Sequence, residues 1–485
     1  MRIAITTFFQ SQTNYGQLLQ AFAMQQSLMQ LGHFPYTIRY GFHEPLAPIH
    51  GLERIQPNFS KLLSNMPVQV AEAGTEDNRH FDDFRSQHMN LSQNAYNTVD
   101  ELRHYPPVAD CYLTGSDQVW AQLLCHENNA TFYLDFGCPE VLRISYAPSF
   151  ALNAYPEEQN SLLAEHLKRF DAISTREKTG VEICKKAGRE ATWVVDPTML
   201  LNGDYYRQLA AESVTPLPDD YAFVYHVNIK KDDLPCWSLF RQYNTANGLP
   251  ALAVHANGEG QPKDEVEFLS GDATYLYPTI QDWIRLIDGS RYVLTTSFHG
   301  MLFAIMLHKP FFVSLRPQSM FAGNDRITDI LAELGLTGRI VTPETDVAAM
   351  LQQSIDWEAV DRKMGALREH SLGFLKHSLE KEVAGDLDSR TIECMFQYAY
   401  LRESKMRESA VELQHELDIV KAHESELQKQ TIELHEENEK RKAQTEDLLQ
   451  QVNRLSKKNR KHLMFIRILV LGLILTCLLF LFASL

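Results

Sequence analysis

Several familiar signatures are missing from this chain of 485 residues. It has no C-x-x-C pair, no glycine-rich phosphate loop and no G-x-S-x-G or H-E-x-x-H motif. Its seven cysteines are dispersed, which favours free thiols over a disulfide framework or a zinc site. Near the N-terminus, polar residues from Gln10 to Gln17 cut the apolar run short of a signal-peptide core. We therefore expect the globular part to stay in the cytoplasm, with no bound metal or cofactor.

Basic residues are also scarce. The chain has 46 lysines and arginines against 62 aspartates and glutamates, which gives a formal net charge of -16. A protein that binds nucleic acid broadly must neutralise many phosphates with basic side chains. The charge therefore argues against nucleic acid as a partner and leaves open a local basic pocket.

The long apolar run of the sequence lies at the C-terminus. Residues 463–485 carry a single charge, and as a helix they would measure about 34 Å, against about 30 Å for a hydrocarbon core. Five basic residues precede the run: Arg454, Lys457, Lys458, Arg460 and Lys461. By the positive-inside rule, the sequence predicts a single-pass, tail-anchored membrane protein whose other domains face the cytoplasm. A buried core helix is the alternative.

A heptad pattern precedes the apolar run. Apolar residues recur every seven positions, with Arg441 as the one break: Leu413, Val420, Leu427, Leu434, Leu448 and Leu455. About half of the residues at the second core position of the heptad are polar. One of them, Asn438, would favour a parallel pair at a cost in stability. The pattern predicts a coiled coil and a parallel homodimer. A single solvated helical stalk is the alternative.

The first 380 residues alternate short apolar segments with helical patterns. This alternation predicts an α/β fold with parallel sheets covered on both faces and with chemistry at the carboxyl ends of the strands. The pattern restarts near residue 205, so we expect two doubly wound, Rossmann-like domains with a substrate cleft between them. The predicted boundaries are 1–204 and 205–380 for these domains, 381–462 for a helical linker and coiled coil, and 463–485 for the transmembrane anchor.

The segment RYVLTTSFHGMLFAIML carries the first candidate site. A strand ends near Thr295, Ser297 can cap the following helix, and His299 then falls in the first helical turn. Backbone N–H groups from Ser297 to Gly300 and the helix dipole favour a bound anion there. His299 is therefore a candidate acid and Gly300 a candidate contact of the substrate. A histidine satisfied by nearby backbone is the alternative.

A second set of polar residues follows the strand in CYLTGSDQVW. The strand is followed by Gly115, Ser116, Asp117 and Gln118, and polar groups at such an edge line a cleft more often than they face bulk water. Asp117 is therefore a candidate catalytic residue, and Gly115, Ser116 and Gln118 are candidates for substrate binding. For Asp117 the competing role is to cap the next helix.

Two further segments are expected near the same edges. In AISTREKTG a strand ends near Thr175, and the guanidinium of Arg176 can bind a carboxylate or phosphate with two parallel hydrogen bonds. A surface pair with Glu177 is the alternative. The loop before the first helix contributes substrate-binding candidates: Asn14, Tyr15 and Gly16.

Taken together, these segments resemble the polysaccharide pyruvyl transferase family over roughly residues 1–340. Seven blocks occur in the expected order: TNYGQLLQAFAMQQSLMQLG, LTGSDQVW, ISYAPSF, ISTREKTG, VVDPTMLL, TTSFHGMLFAIMLHKPFF and NDRITDILAELGL. The resemblance implies a two-domain fold like that of the GT-B glycosyltransferases. It also implies transfer of pyruvate from phosphoenolpyruvate, the donor substrate, onto two hydroxyls of a sugar, which gives a cyclic ketal.

The resemblance suggests His299 as the catalytic acid/base and Arg176 as a donor ligand. Some members of the family have an arginine two residues before this histidine, where this chain has Ser297, so donor binding must rely on other residues. Lys309 and Arg316 are further candidates to hold the donor, although Lys309 fits the end of its helix better. Asp117 could orient the acceptor, and a lipid-linked glycan acceptor would explain a membrane anchor.

Two other functions compete with this one. A glycosyltransferase that uses a nucleotide sugar could be built on the same two-domain plan. The protein could also be a non-catalytic, membrane-tethered scaffold whose coiled coil is the main interaction surface. The sequence does not identify the acceptor sugar or its linkage.

Overall fold

The structure is a computed structural model that describes residues 1–41, 79–121, 127–152, 154–229, 234, 236–256, 263–316, 323–381, 387–458 and 463–482. Arg460, Lys461 and Cys125, which entered the sequence arguments, lie outside the described residues. The chain forms two compact units, Met1–Ala399 and Tyr400–Leu485.

The first sheet is parallel and has five strands within the described residues. They are β1 (Arg2–Thr6), β2 (Phe34–Tyr40), β3 (Leu91–Tyr96), β4 (Cys111–Thr114) and β5 (Leu142–Ser145), in the order β3-β2-β1-β4-β5. The central strands are apolar and buried, as expected for strands covered on both faces. A short parallel pair, β6 (Ser174–Thr175) and β7 (Thr192–Trp193), follows them in the chain.

The second sheet repeats this topology. Its described strands are β8 (Ala222–Val227), β9 (Ala251–Ala256), β10 (Thr274–Tyr275), β11 (Tyr292–Thr295) and β12 (Phe311–Val313), all parallel and in the order β10-β9-β8-β11-β12. Each half therefore has the doubly wound strand order that the sequence predicted, with the strand ends of each sheet at one edge. The α/β class and the two halves are confirmed. The boundary at residue 204 remains a prediction.

Helices cover both sheets. Those that precede or cover the first sheet are α1 (Tyr15–Gln30), α2 (Phe81–His88), α3 (Val99–His104), α4 (Asn160–Leu167) and α5 (Lys178–Lys186). Those that follow are α6 (Gly203–Ala210), α7 (Trp237–Ala246), α8 (Lys263–Val266), α9 (Ile280–Gly289), α10 (Phe298–Met306), α11 (Asp325–Leu334), α12 (Val347–Gln352) and α13 (Trp357–Leu379). Short 3₁₀ helices lie at Glu127–Tyr133, Glu157–Gln159, Pro197–Leu200 and Thr337–Arg339.

One of the three hydrophobic clusters in the described residues spans both halves, and the other two lie within one half each. The first of these clusters runs from Ile3 in β1 to Leu379 at the end of α13 and includes residues of both sheets. Helix α13 packs back on the end of the first half. There the Val195 N–H donates to the Ser371 hydroxyl at 3.0 Å, and Nε of Arg368 donates to the Met199 carbonyl at 2.7 Å.

The chain continues into long helices. Helix α14 is continuous from Leu387 to Lys458, and six apolar positions of the heptad repeat are each more than half exposed: Leu413, Val420, Leu427, Leu434, Leu448 and Leu455. The helix is as the sequence predicted, and its pairing into a coiled coil stays a prediction.

The C-terminal apolar segment is helical from Leu463 to Phe482, here α15. Among the residues that the structure describes, none of the helices is long and apolar enough to cross a membrane. The predicted transmembrane helix is therefore not supported by the structure.

Candidate active site

The catalytic candidate His299 lies where β11 passes into α10. The strand ends at Thr295, and Ser297 caps the helix, its hydroxyl accepting from the Gly300 N–H at 3.2 Å. This places His299 in the first turn, where unpaired backbone N–H groups give the helix end a partial positive charge. The residue is 7% exposed. The capping role predicted for Ser297 is confirmed.

Gly16 permits a close contact between His299 and the first helix. A Cβ atom at Gly16 would lie 2.2 Å from Nδ1 of the imidazole, so any larger residue at this position would displace the ring. Only glycine lets the ring lie against the backbone of α1 at this point. Because α1 belongs to the first half and α10 to the second, this contact joins the two halves at the candidate site.

A buried carboxylate, Asp196, contacts the other side of the imidazole. Its Oδ2 lies 3.4 Å from Nε2 of His299, within ion-pair range but without hydrogen-bond geometry. The same oxygen accepts from Nη1 of Arg176 at 3.0 Å and from the Ser116 hydroxyl at 3.1 Å. Its other oxygen accepts from the N–H and hydroxyl of Thr198, at 3.0 and 2.8 Å. Asp196 therefore links both halves of the site through one side chain.

The charge of Asp196 is strongly stabilised. Burial alone would raise the pKa of this carboxyl, because a low-dielectric interior disfavours the charged form. The neighbouring His299 and Arg176 and the Thr198 N–H outweigh burial and hold the pKa of Asp196 well below its usual range. The residue is thus a fixed negative charge next to two groups that are positive when protonated.

Arg176 is almost fully enclosed, with 1% of its side chain exposed. Its Nη2 lies 3.8 Å from Oδ1 of Asp117, and its guanidinium carbon lies 4.9 Å from the ring centroid of Phe298, a cation–π contact. Nε has no hydrogen-bond partner. The predicted donor ligand is therefore next to His299, and the alternative of a surface pair with Glu177 does not apply.

Asp117 does not cap a helix in the described part of the chain. Its Oδ1 accepts from the Gln118 N–H at 2.8 Å and faces Arg176, and the next described helical turn begins at Glu127. Asp117 has a left-handed backbone, with a φ of 65°. Its side chain is 14% exposed, and its role toward an acceptor hydroxyl remains a prediction.

Arg326, which the sequence arguments passed over, completes the cluster. It lies in the first turn of α11, is 8% exposed, and donates to the carboxamide oxygen of Gln118. Burial first, and then the charges of Arg176 and Arg316, lower the pKa of Arg326 to about 9. A basic residue is disfavoured in a first helical turn. That position, in the block NDRITD, is the feature of the sequence that could have identified Arg326.

Four other candidates have mainly structural contacts. The side chain of Asn14 caps α1, accepting from the Gln17 N–H at 3.2 Å. Tyr15 is fully buried, stacks on Trp283 at 5.1 Å and donates to the Pro278 carbonyl at 2.6 Å. A Cβ at Gly115 would lie 2.2 Å from the Tyr146 carbonyl oxygen, and one at Gly300 would lie 2.5 Å from the Thr295 hydroxyl. Their substrate-binding roles remain predictions.

Lys309 and Arg316 lie in different places. Lys309 follows the C-terminal end of α10, at the opposite end of that helix from His299, and its N–H donates to the Ala304 carbonyl at 2.8 Å. Arg316 follows β12, donates to the Val227 carbonyl at 3.1 Å and is close enough to affect the pKa of Arg326. Of these two candidates, Arg316 is the one near the arginine cluster.

The arrangement combines an acid with concentrated positive charge. His299 at a helix N-terminus, Arg176 and Arg326 suit a small substrate with two anionic groups. In the described part of the chain, no three histidine, cysteine, aspartate or glutamate residues are grouped so that they could hold a metal ion.

The chain has two doubly wound halves that pack against each other, and a histidine, arginines and carboxylates lie together where they meet. This arrangement is typical of a two-domain α/β enzyme with an anionic substrate. Residues 14–315 match the family model described as polysaccharide pyruvyl transferase. The match covers more than half of the chain, and the protein belongs to this family.

Solved structures with similar folds are distant. UDP-N-acetylglucosamine 2-epimerase from Rickettsia bellii is 10% identical, with a TM-score of 0.43, over 78% of this chain and 96% of the other. The S. aureus MnaA–UDP structure is 12% identical, with a TM-score of 0.44 and the same coverage. MurG from Acinetobacter baumannii is 11% identical, with a TM-score of 0.35, over 78% and 99%. No curated protein matches the chain.

Proposed function

We propose that this member of the family transfers pyruvate from phosphoenolpyruvate onto two hydroxyls of a glycan and so forms a cyclic ketal. The observation that carries the proposal is the contact of His299 with the buried charge of Asp196, beside Arg176 and at a helix N-terminus. Family membership supports a polysaccharide pyruvyl transferase role. The identity of the donor and the cyclic ketal product go beyond this general role and are proposed here.

Arginines supply the donor site. Phosphoenolpyruvate has a carboxylate and a phosphate, and planar guanidinium groups bind both kinds of anion with two hydrogen bonds. Arg176 contributes one guanidinium and Arg326 a second. Arg326 thereby replaces the arginine that some family members have at the position of Ser297. The backbone N–H groups at the start of α10 add to the positive potential.

His299 supplies the proton. Protonation of the donor's methylene carbon leaves an electrophilic carbon that bears the phosphate oxygen and the carboxylate. An acceptor hydroxyl attacks this carbon and gives its proton to the neutral imidazole of His299. The bond to the phosphate oxygen then breaks, and the second hydroxyl attacks the same carbon, gives its proton to the departing phosphate and closes the ketal. The Asp196 carboxylate stabilises the imidazolium before its proton is given up, and Asp117 orients the first hydroxyl.

Membrane attachment belongs to the same proposal. The apolar sequence 463–485 and the basic residues before it favour a membrane anchor, with both sheets on the cytoplasmic side. A tethered enzyme would meet lipid-linked acceptors at a high effective concentration. The heptad repeat of α14 would hold two copies in parallel.

The test is phosphate release from phosphoenolpyruvate with a panel of glycan acceptors. His299→Ala should lower the turnover of folded protein at least about 100-fold, the usual contribution of a positioned acid. Arg176→Lys and Arg326→Lys should mainly raise KM for the donor, because an ammonium keeps the charge and loses the two-pronged geometry. The matched control is His308→Asn, since His308 follows the far end of α10 and pairs with Asp361.

Thermal unfolding of each variant separates loss of chemistry from loss of folding. Near-normal turnover of folded His299→Ala protein would remove this residue from the mechanism and favour the scaffold function. Binding of a nucleoside diphosphate in preference to phosphoenolpyruvate would favour the glycosyltransferase function.

A further inference from the structure

A separate pocket of about 430 Å³ lies away from His299, between helices α1, α2 and α6. Its volume is within the range of ligand sites in proteins, roughly 300–1,000 Å³. Helix α1 connects the two places, since Gly16 at its first turn contacts His299 and Phe22, Gln26 and Met29 further along line the pocket. At 1.5 Å per residue, the pocket lies roughly 9–20 Å from Gly16 along the helix axis.

Rings form one part of the pocket wall. The side chains of Phe22, Tyr205 and His88 are grouped there, with ring centroids of Phe22 and Tyr205 6.3 Å apart and those of Phe22 and His88 6.1 Å apart. Tyr205 is partly exposed and Met29 is 38% exposed. Phe22 is 2% exposed, so the partly exposed rings of Tyr205 and His88 are the ones that offer flat faces on which the C–H faces of a ring-shaped ligand can pack.

The polar part of the wall consists mainly of carboxamides: Gln26, Gln87, Asn90 and Gln208. Each carries an acceptor oxygen and a donor NH₂ group, so together they can pair with hydroxyls in either direction. The Tyr205 hydroxyl already donates to the Gln26 carboxamide oxygen at 3.0 Å, which fixes the orientation of that amide.

The charged side chains of the pocket favour a neutral ligand. Glu212 is half exposed, and its carboxylate lies 3.3 Å from Nε2 of His88 and accepts from the Gln281 carboxamide at 3.1 Å. Burial lowers the pKa of His88, and the nearby Glu212 carboxylate opposes this shift. Among the described residues that line the pocket there is no lysine or arginine. An anionic ligand would therefore meet the Glu212 carboxylate without a lysine or arginine to balance its charge.

We propose that this pocket binds a neutral sugar unit of the acceptor glycan, at a distance from the unit that reacts. The inference rests on the proposed function, because it takes the acceptor to be a glycan. The flat rings, the carboxamides and the lack of lining cations fit a hydroxyl-rich, uncharged ring. A glycan several units long can then have one unit in the pocket and another near His299.

The pocket also distinguishes substrate from product. A ketal of pyruvate adds a carboxylate to the sugar that carries it, and Glu212 disfavours that charge. The pocket therefore accepts unmodified units and weakly binds units that already carry pyruvate. This preference directs the enzyme to stretches of glycan that have not yet been modified.

The test is binding of neutral oligosaccharides of glucose, mannose, galactose and N-acetylglucosamine to the wild-type protein without phosphoenolpyruvate. Saturation-transfer NMR and calorimetry at millimolar ligand are the measurements, with an oligouronate of the same length as the anionic probe. At least one neutral series should bind, and the oligouronate should bind at least about ten-fold more weakly. Glu212→Gln should reduce the difference in affinity between the neutral oligosaccharide and the oligouronate.

Variants locate the binding. Tyr205→Ala and Gln208→Ala should each weaken it at least about three-fold, whereas Tyr205→Phe, which keeps the ring, should retain most of it. The matched control is Gln242→Ala, because Gln242 is an exposed glutamine on α7, outside the pocket. His299→Ala should leave the binding unchanged.

Several results would overturn the proposal: no binding of any neutral series to wild type, equal or tighter binding of the oligouronate, or undiminished binding by folded Tyr205→Ala protein. Because the assay contains no donor, it is independent of turnover. Saccharide binding without pyruvyl transfer would refute the proposed function and leave the pocket assigned to a sugar. Pyruvyl transfer without saccharide binding at this pocket would refute the pocket assignment and leave the proposed function standing.

Discussion

One carboxylate, Asp196, organises the residues of the candidate site. It binds Arg176 and Ser116 directly, lies 3.4 Å from His299, and has no exposed surface. A buried ion pair contributes little net stability compared with an apolar replacement, but loss of one partner leaves the other charge buried and uncompensated. We therefore expect Asp196 to matter both for the position of the candidate catalytic groups and for folding.

Neutralisation of Asp196 should cost stability in a pH-dependent way. The folded-state pKa is lowered, so the charge stabilises the folded state above the unfolded pKa of about 4, and this stabilisation fades as pH falls toward the folded pKa. We expect Asp196→Asn to lower the free energy of unfolding by on the order of 3 kcal/mol at pH 7. Urea titrations should show that the difference in free energy of unfolding between Asp196→Asn and wild type becomes smaller below about pH 4.

The control is Asp204→Asn, since Asp204 is exposed and pairs with Arg207 on the surface. It should change the free energy of unfolding by less than about 1 kcal/mol. A gap for Asp196→Asn that stayed constant from pH 3 to 7 would contradict this account of its charge.

Gly16 fixes the position of the imidazole. In Gly16→Ala the new Cβ would overlap the ring of His299, so the ring must move. A displacement of about 1 Å can cost about 100-fold in rate, and we expect a loss of that order in turnover. Gly365→Ala is the matched control, because no atom lies within 4 Å of a Cβ there. It should raise stability by ~0.5–1 kcal/mol. Normal turnover of Gly16→Ala would show that this contact is dispensable.

The structure brings together four residues that the sequence singled out, but the sequence analysis did not select the carboxylate at their centre, Asp196. Ser116, Asp117, Arg176 and His299 were predicted because each follows a recognisable strand. Asp196 follows Val194 and Val195, which do not extend the short strand β7, and its partners come from segments 20 to 103 residues away in the chain. Such contacts depend on tertiary packing, which local patterns do not encode.

At the scale of elements, strands with apolar runs were the easiest to predict. The apolar runs at the start of CYLTGSDQVW and RYVLTTSFHGMLFAIML became β4 and β11. The polar strand β3, LSQNAY, had no such run and was missed, because an edge strand needs few apolar residues. Helix α14 follows from the absence of glycine and proline, whereas its pairing depends on a second chain.

The heptad of α14 predicts a weak parallel dimer. Its apolar positions are exposed in the single chain, and pairing would bury them, although polar residues such as Asn438 at the second core position limit the gain. We expect a chain that ends near Lys461 to have a concentration-dependent mass, and one that ends near Leu401 to stay monomeric. Light scattering at tens of micromolar is the measurement. Equal monomeric masses for the two would exclude the dimer.

At the scale of the whole molecule, two repeats of one strand order form the globular part. The alternation of strands and helices was sufficient to predict this, because each βαβ unit follows a local pattern. The return of α13 to the first half was not predictable, because the hydrogen bond of Val195 to Ser371 joins residues 176 positions apart.

The C-terminal segment predicts how the whole chain partitions. We expect the full chain to need detergent and a chain that ends near Leu401 to need none, because the sequence 463–485 is an apolar run with a single charge that follows a group of basic residues. High-speed centrifugation of a lysate is the measurement. Full-length protein in the supernatant would contradict the anchor.

The contact of α13 with the end of the first half can form only late in synthesis of the chain. Val195 leaves the ribosome long before its partner Ser371, which follows 176 residues later. At about 5–20 residues per second, the first half waits roughly 9–35 s before the helix that covers it exists. During that interval its apolar surface is exposed to other nascent chains. A chaperone that holds nascent chains should therefore be needed most between these two points of translation.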